Sequence, residues 1–153
     1  GITDGTSATT FDPIGNCTRA QAVTFLWRAA GSPAPKTKVM PFTDVPAGSY
    51  YHDAVLWAME QGITKGTSDT AFSPNATCTR AQIVTFLYRA MGESSEGRIP
   101  FTDVPGGSYY EEAVSWATAS GVTNGMAAGI FAPDEDCTRA QIVTFLFRAY
   151  NNK

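Results

Sequence analysis

Apolar side chains recur at helical spacing in two kinds of segment. In the first kind, Tyr51, Val55 and Ala58 share a face, and Tyr110, Val114 and Ala117 repeat it. In the second, Val84, Leu87 and Tyr88 form a face with Phe86 beside it; Val143, Leu146 and Phe147 repeat it, as do Val23, Leu26 and Trp27. Spacings of three and four residues place side chains on one stripe of a helix. Start signals precede the second kind. Thr18, Thr79 and Thr138 are followed three residues on by Gln21, Gln82 and Gln141, the Gln form of the capping box. Before the first kind, Ser108 and Glu111 form the same pattern, while Ser49 has His52 at the matching place. Helices starting near Ser49 and Ser108 are therefore predicted, with Gly62, Gly121, Gly31 and Gly92 as stops. The segments between helices are too short and Gly-rich for a large sheet, with room for small extended pieces around Phe72 and Phe131.

These elements belong to one unit used three times. Cys-Thr-Arg-Ala-Gln recurs at Cys17, Cys78 and Cys137, each time leading into a Val-Thr-Phe-Leu helix. A Phe-x-Pro lies upstream of each, at Phe11, Phe72 and Phe131, and a Gly-Ile/Val-Thr stretch lies before that. Two copies carry a front half, Pro41–Gln61 and Pro100–Ser120; the first copy, which begins at Gly1, lacks it. The units run over 1–31, 41–92 and 100–150 and are expected to share one compact domain. Linkers fall at Ser32–Met40 and Glu93–Ile99. The expected fold is mainly α, built of helix-loop-helix repeats.

The chain is 43% apolar, enough for a packed core, and carries a formal net charge of -3. That charge argues against nucleic-acid binding, which needs a basic footprint. No apolar run approaches the length that crosses a bilayer, so membrane insertion is not expected. No signal peptide is visible, and a chain without an initial Met is compatible with a removed leader.

Three cysteines exclude a fully paired intramolecular framework. Each precedes an N-cap, where an apolar residue staples to N4, here Ala22, Ile83 or Ile142. A small buried hydrophobe, a disulfide between repeats and a metal site are the readings weighed; the last has only His52 to add a nitrogen ligand. Arg19, Arg80 and Arg139 occupy N1, where the helix dipole disfavours a cation. Two accounts stand side by side. An anion is held jointly by guanidinium and helix terminus, or the arginine pairs with an Asp of its own unit, Asp44 or Asp103. Arg28, Arg89 and Arg148 near the C-termini need only the dipole. No convergent nucleophile and base is present, and Asp134, Glu135 and Asp136 read as a solvated loop. The chain is read as non-catalytic, with no cofactor and no metal.

Phe-x-Asp-Val, Tyr-Tyr-x-x-Ala-Val-x-Trp-Ala, Gly-Ile-Thr-x-Gly, Phe-x-Pro and Thr-Arg-Ala-Gln, in that order, resemble the S-layer homology domain. The resemblance covers nearly the whole chain. It implies a bacterial cell-surface module, exported and non-covalently anchored by binding anionic, often pyruvylated, secondary cell-wall polysaccharide. It also implies helix-loop-helix repeats around a central three-helix bundle with pseudo-threefold symmetry, a spindle with ligand grooves between neighbouring repeats. The groove arginine passes to Arg19, Arg80 and Arg139, the aspartate to Asp44 and Asp103, and the backbone after the first helix to Gly66 and Gly125, with Gly5 in the partial copy. Trp57 and Trp116 are read either as an apolar wall for a sugar ring or as core.

Two departures from the family pattern matter. Cys stands for Ile and Gln for Glu in the family's Ile-Thr-Arg-Ala-Glu signature, which leaves the arginine freer for an anion or marks a subgroup with another ligand. The absent front half predicts that Val23, Phe25 and Trp27 are partly uncovered. A preceding segment, a cleaved fragment or a neighbouring protein would then cover that face, and a structural or assembly role through it is the alternative function. The same reasoning places the complete grooves at Arg80 and Arg139.

Overall fold

The computed structural model describes residues 15–95 and 98–151. Gly5 and the first Phe-x-Pro lie outside the described residues. The described chain is mainly helical, as expected: α1 (Arg19–Ala29), α2 (His52–Glu60), α3 (Arg80–Met91), α4 (Glu111–Ala119) and α5 (Arg139–Asn151), with isolated bridges in place of strands.

The inner helices α1, α3 and α5 touch one another pairwise and form the central bundle. Their starts obey the predicted code. Thr18 and Thr79 accept from the backbone of Gln21 and Gln82, whose side chains return the bond, and Thr138 does the same with Gln141. Their N-terminal ends meet in a ring of backbone hydrogen bonds. Cys17 N donates to Cys137 O (2.9 Å), Cys137 N to Cys78 O (2.8 Å) and Cys78 N to Cys17 O (2.7 Å). All three cysteines are fully buried and free. No disulfide joins them, and no group of three or more His, Cys, Asp or Glu side chains is gathered among the described residues. Burial pushes the Cys17 and Cys137 thiols up to about 12, and Cys78 well above its usual value.

The outer helices start later than predicted. The N-caps are Tyr51 and Tyr110, with no side-chain cap, because Pro46–Ser49 and Pro105–Ser108 are first used in turns. The expected box does not form: the Glu111 carboxylate accepts from Gly107 N (2.7 Å), one residue before Ser108, and Glu111 N donates to Ser108 O instead of its hydroxyl. Gly62 and Gly121 are left-handed stops as predicted, whereas Gly92 is extended.

A further difference concerns which helix each outer helix covers. α2 packs on α1 and α4 on α3, so each front half lies on the inner helix of the preceding unit. The face predicted to be bare is therefore covered. Val23 and Phe25 are buried, and Trp27 is half-buried with its indole N–H on Pro33 O (2.8 Å). Among the described residues no outer helix packs on α5, where Phe147 is 68% exposed.

Candidate ligand cleft between repeats

Each Phe-x-Pro loop docks on the start of the preceding inner helix. Phe72 N and Ser73 N both donate to the Asp44 carboxylate (2.9 and 2.8 Å), and Phe131 N and Ala132 N do so to Asp103. Ser73 and Ala132 are in the left-handed region (φ 60), which the carboxylate's two acceptors hold in place. The loop then turns its carbonyls onto the neighbouring helix. Arg19 N donates to Ala76 O, Ala20 N to Pro74 O, and Arg19 Nε to Phe72 O (2.9 Å). In the next junction, Arg80 N, Ala81 N and Arg80 Nε bond to Glu135 O, Pro133 O and Phe131 O. In the third, Arg139 N bonds to Gly15 O.

This geometry accounts for a cation at N1. Loop carbonyls crowd the helix start and supply the negative partial charge that the dipole would otherwise lack there. It also corrects both earlier accounts. The first helical N–H groups are already spent on loop carbonyls, so the terminus has no share in holding an anion. Asp44 and Asp103 are not in salt bridges with Arg19 or Arg80; they cap the loops. Asp44 acts electrostatically on Arg19, and Asp103 on Arg80, across the unit boundary rather than within it.

Arg19, Arg80 and Arg139 are all buried. The Arg19 guanidinium lies 4.9 Å from the Phe72 ring centroid and 5.5 Å from Phe86; Arg80 stands likewise on Phe131 and Phe145. Burial pulls Arg19 and Arg80 below the ordinary guanidinium value. Arg80 also has a buried Nη2 without a hydrogen-bond partner.

A cleft of about 360 Å³ opens beside Arg19. Arg19 of the first unit, Lys65 and Arg89 of the second and Tyr109 of the third all line it, and no acidic side chain does. Thr64, Thr67, Gln82 and Gly66 add polar edges. Gly66 is required by the backbone: its φ is +80, and a Cβ would stand 2.5 Å from the Phe42 ring and 2.6 Å from Ala71 O. Gly125 is constrained in the same way by Phe101 and Ile130. Both glycine N–H groups bond to threonine hydroxyls, Thr64 and Thr123.

The tryptophans are elsewhere. Trp57 lines a hollow with Ala30, Met91 and Tyr150 at the C-terminal end of the bundle, and Trp116 packs on Tyr88 at 5.9 Å. They sit between outer and inner helices rather than beside the arginines. The reasoning from sequence missed Tyr109, Lys65 and Arg89. The Tyr-Tyr doublet held a usable signal, since consecutive helix-start residues do not share a face: Tyr110 is buried and Tyr109 is 61% exposed. Arg89 holds Ile63 O (3.0 Å) and lines the cleft as well, a second use beyond the dipole.

The cleft lined by described residues is the one at Arg19. Tyr109 interacts with Thr79 and Arg19, and Tyr50 interacts with Thr18 and Arg139.

Helical repeats locked head to tail, with a basic cleft at a junction, define a helical repeat module. The chain belongs to the S-layer homology domain family, whose profile matches residues 41–84 and 100–143. It is 36% identical over 123 residues to an endoglucanase of Bacillus sp. (strain KSM-635), covering 80% of this chain and 13% of that protein. It is 29% identical to the surface-layer 125 kDa protein of Lysinibacillus sphaericus (66% of this chain, 9% of that protein). A cellulosome-anchoring protein of Acetivibrio thermocellus is 25% identical (91% and 33%). The chain therefore spans a third or less of these relatives, and membership places it among cell-surface anchoring modules. No helix among the described residues is long and apolar enough to cross a membrane.

Proposed function

We propose that the chain is a non-catalytic anchor that attaches an exported protein to the bacterial cell wall by binding an anionic secondary polysaccharide in the Arg19 cleft. The carrying observation is the cleft's charge. Arg19, Lys65 and Arg89 converge there without a carboxylate, on a chain whose net charge is -3. A pyruvate acetal on a sugar presents a carboxylate beside a ring; guanidinium groups match the first, and the exposed Tyr109 ring offers a surface for the second. Asp44, Asp103, Gly66 and Gly125 support this site by shaping loops. Arg80 and Arg139 hold the corresponding places in the other two junctions.

The test is sedimentation with purified wall sacculi. Binding is expected to vanish when the non-peptidoglycan polymer is removed. Lys65→Glu and Tyr109→Ala, both at exposed positions, are expected to weaken it about tenfold or more while leaving the fold intact. Undiminished binding by the double variant would sink the Arg19 cleft as the site.

A further inference from the structure

All three cysteines and all four methionines of the chain lie within the described residues, and their sulfurs meet different surroundings. The thiols are fully buried where the inner helices meet. Burial raises all three, Cys17 and Cys137 to about 12, so the thiolate that an oxidant attacks is scarce at physiological pH. Met40, Met59 and Met91 are half-buried and pack against the core. Met126 lies outside that core and is 48% exposed.

Met126 is also tied to a particular partner. Its Sδ accepts a hydrogen bond from Gln141 Nε2 at 3.7 Å. Gln141 is held in turn at the start of α5, where its Oε1 accepts from Thr138 N at 2.9 Å. The cap requires an acceptor, so the amide oxygen faces the cap and the NH2 group faces the sulfur. The second unit is built differently. Thr67 stands where Met126 stands, but its hydroxyl bonds within its own loop, to Ala71 O and Ser73 Oγ, rather than to Gln82. A thioether that accepts one weak hydrogen bond keeps a second lone pair for chemistry.

We propose that Met126 is the chain's oxidation site, converted by peroxides to a methionine sulfoxide whose new oxygen takes over the Gln141 amide. In this step a sulfur lone pair attacks one peroxide oxygen and the O–O bond breaks. The attacked oxygen's proton passes to the departing hydroxide, which leaves as water; sulfur loses two electrons and the peroxide gains them. A sulfoxide oxygen is a far stronger acceptor than a thioether sulfur. With the sulfur 3.7 Å from the donor, there is room for that oxygen at ordinary hydrogen-bond length from Gln141 Nε2. At an exposed position the added oxygen stays hydrated, whereas on Met40, Met59 or Met91 it would put a polar group against the core. None of the residues lining the Arg19 cleft carries sulfur, so the proposal stands apart from the ligand reading.

The experiment treats the folded 153-residue chain with hydrogen peroxide and follows each sulfur over time by peptide-mapping mass spectrometry. Met126 is expected to take up one oxygen about fivefold or more faster than any other methionine, with all three thiols unchanged. Met126→Leu should abolish the fast phase. In NMR spectra of the isotope-labelled chain, the Gln141 side-chain NH2 signals should move on oxidation while those of Gln82 stay in place. Urea unfolding should give the singly oxidised chain a midpoint no lower than that of the untreated chain. Oxidation of a thiol, or of Met40, Met59 or Met91, at a comparable rate would overturn the site. Unmoved Gln141 signals would overturn the sulfoxide's partner, and a lowered midpoint would overturn its fit to the fold.

Discussion

Replacing Arg80 by lysine separates a junction residue from a ligand residue. The substitution keeps the charge, so it does not relieve the cost of burying a cation. Along the lysine stem a methylene stands where Arg80 Nε now donates to Phe131 O at 2.8 Å. A buried hydrogen bond from a charged donor contributes about 1.5–3 kcal/mol. The planar guanidinium also lies 4.9 and 5.4 Å from the Phe131 and Phe145 ring centroids, and losing that stack costs about 0.5–1 kcal/mol more. The total is about 2–4 kcal/mol, since Arg80 is only 2% exposed and solvent screens little of it. Urea unfolding followed by circular dichroism, with a slope of about 2 kcal/mol per molar, should show the midpoint falling by about 1–2 M. A shift below about 0.3 M, together with lost adhesion to wall sacculi, would refute the junction reading and make Arg80 chiefly a ligand residue.

Further outcomes follow from the loops and the cysteine ring. Gly125→Ala forces a Cβ against Ile130 O and the Phe101 ring and should cost several kcal/mol, whereas Gly129→Ala, with open space at a similar φ, should cost about 1–2 kcal/mol; equal thermal unfolding midpoints for the pair would contradict the packing described. The buried thiols of Cys17 and Cys137 titrate near 12 when folded against an ordinary 9.0, so the unfolded state holds fewer protons between those values. Stability should therefore be flat below about pH 8 and fall from pH 9 towards 12, by up to about 1.4 kcal/mol per pH unit for each thiol. A variant with all three cysteines replaced by alanine should lose much of that alkaline slope, and parallel profiles would count against it.

How much of this was legible in the sequence depends on the range over which the physics acts. The inner helices and their Thr/Gln caps are local, and periodicity with a four-residue motif suffices to find them. Burial of the cysteines was legible for the same reason: an apolar residue before an N-cap has a partner within the same turn. The outer helices' caps were placed two residues early, because Ser49 and Ser108 have the right type for a cap, yet the preceding prolines draw them into turns. What periodicity does not carry is the identity of the neighbour. It showed that α2 and α4 have an apolar face, but not that each lies on the preceding unit's inner helix. From that one missing fact came the misplaced bare face, put on Val23, Phe25 and Trp27, which the structure covers. Tyr109 and Arg89 were hidden for a similar reason, since the Arg19 cleft takes its residues from all three units. The tryptophans show the opposite case, in which the bland expectation of core packing is where the structure puts them.

The ring of Cys17, Cys78 and Cys137 has a consequence for how this module varies in length. Each link has one donor and one acceptor, and each is already taken by a neighbour. Open stacks of repeats grow or shrink by whole units, because a new end resembles the old one. Here there is no end. Removing a unit would strand one N–H and one C=O on the axis, and adding a fourth would have to pry the circle apart. The number three is thus held by the backbone itself, and insertions or deletions should fall in the connecting segments between units rather than in the count of units.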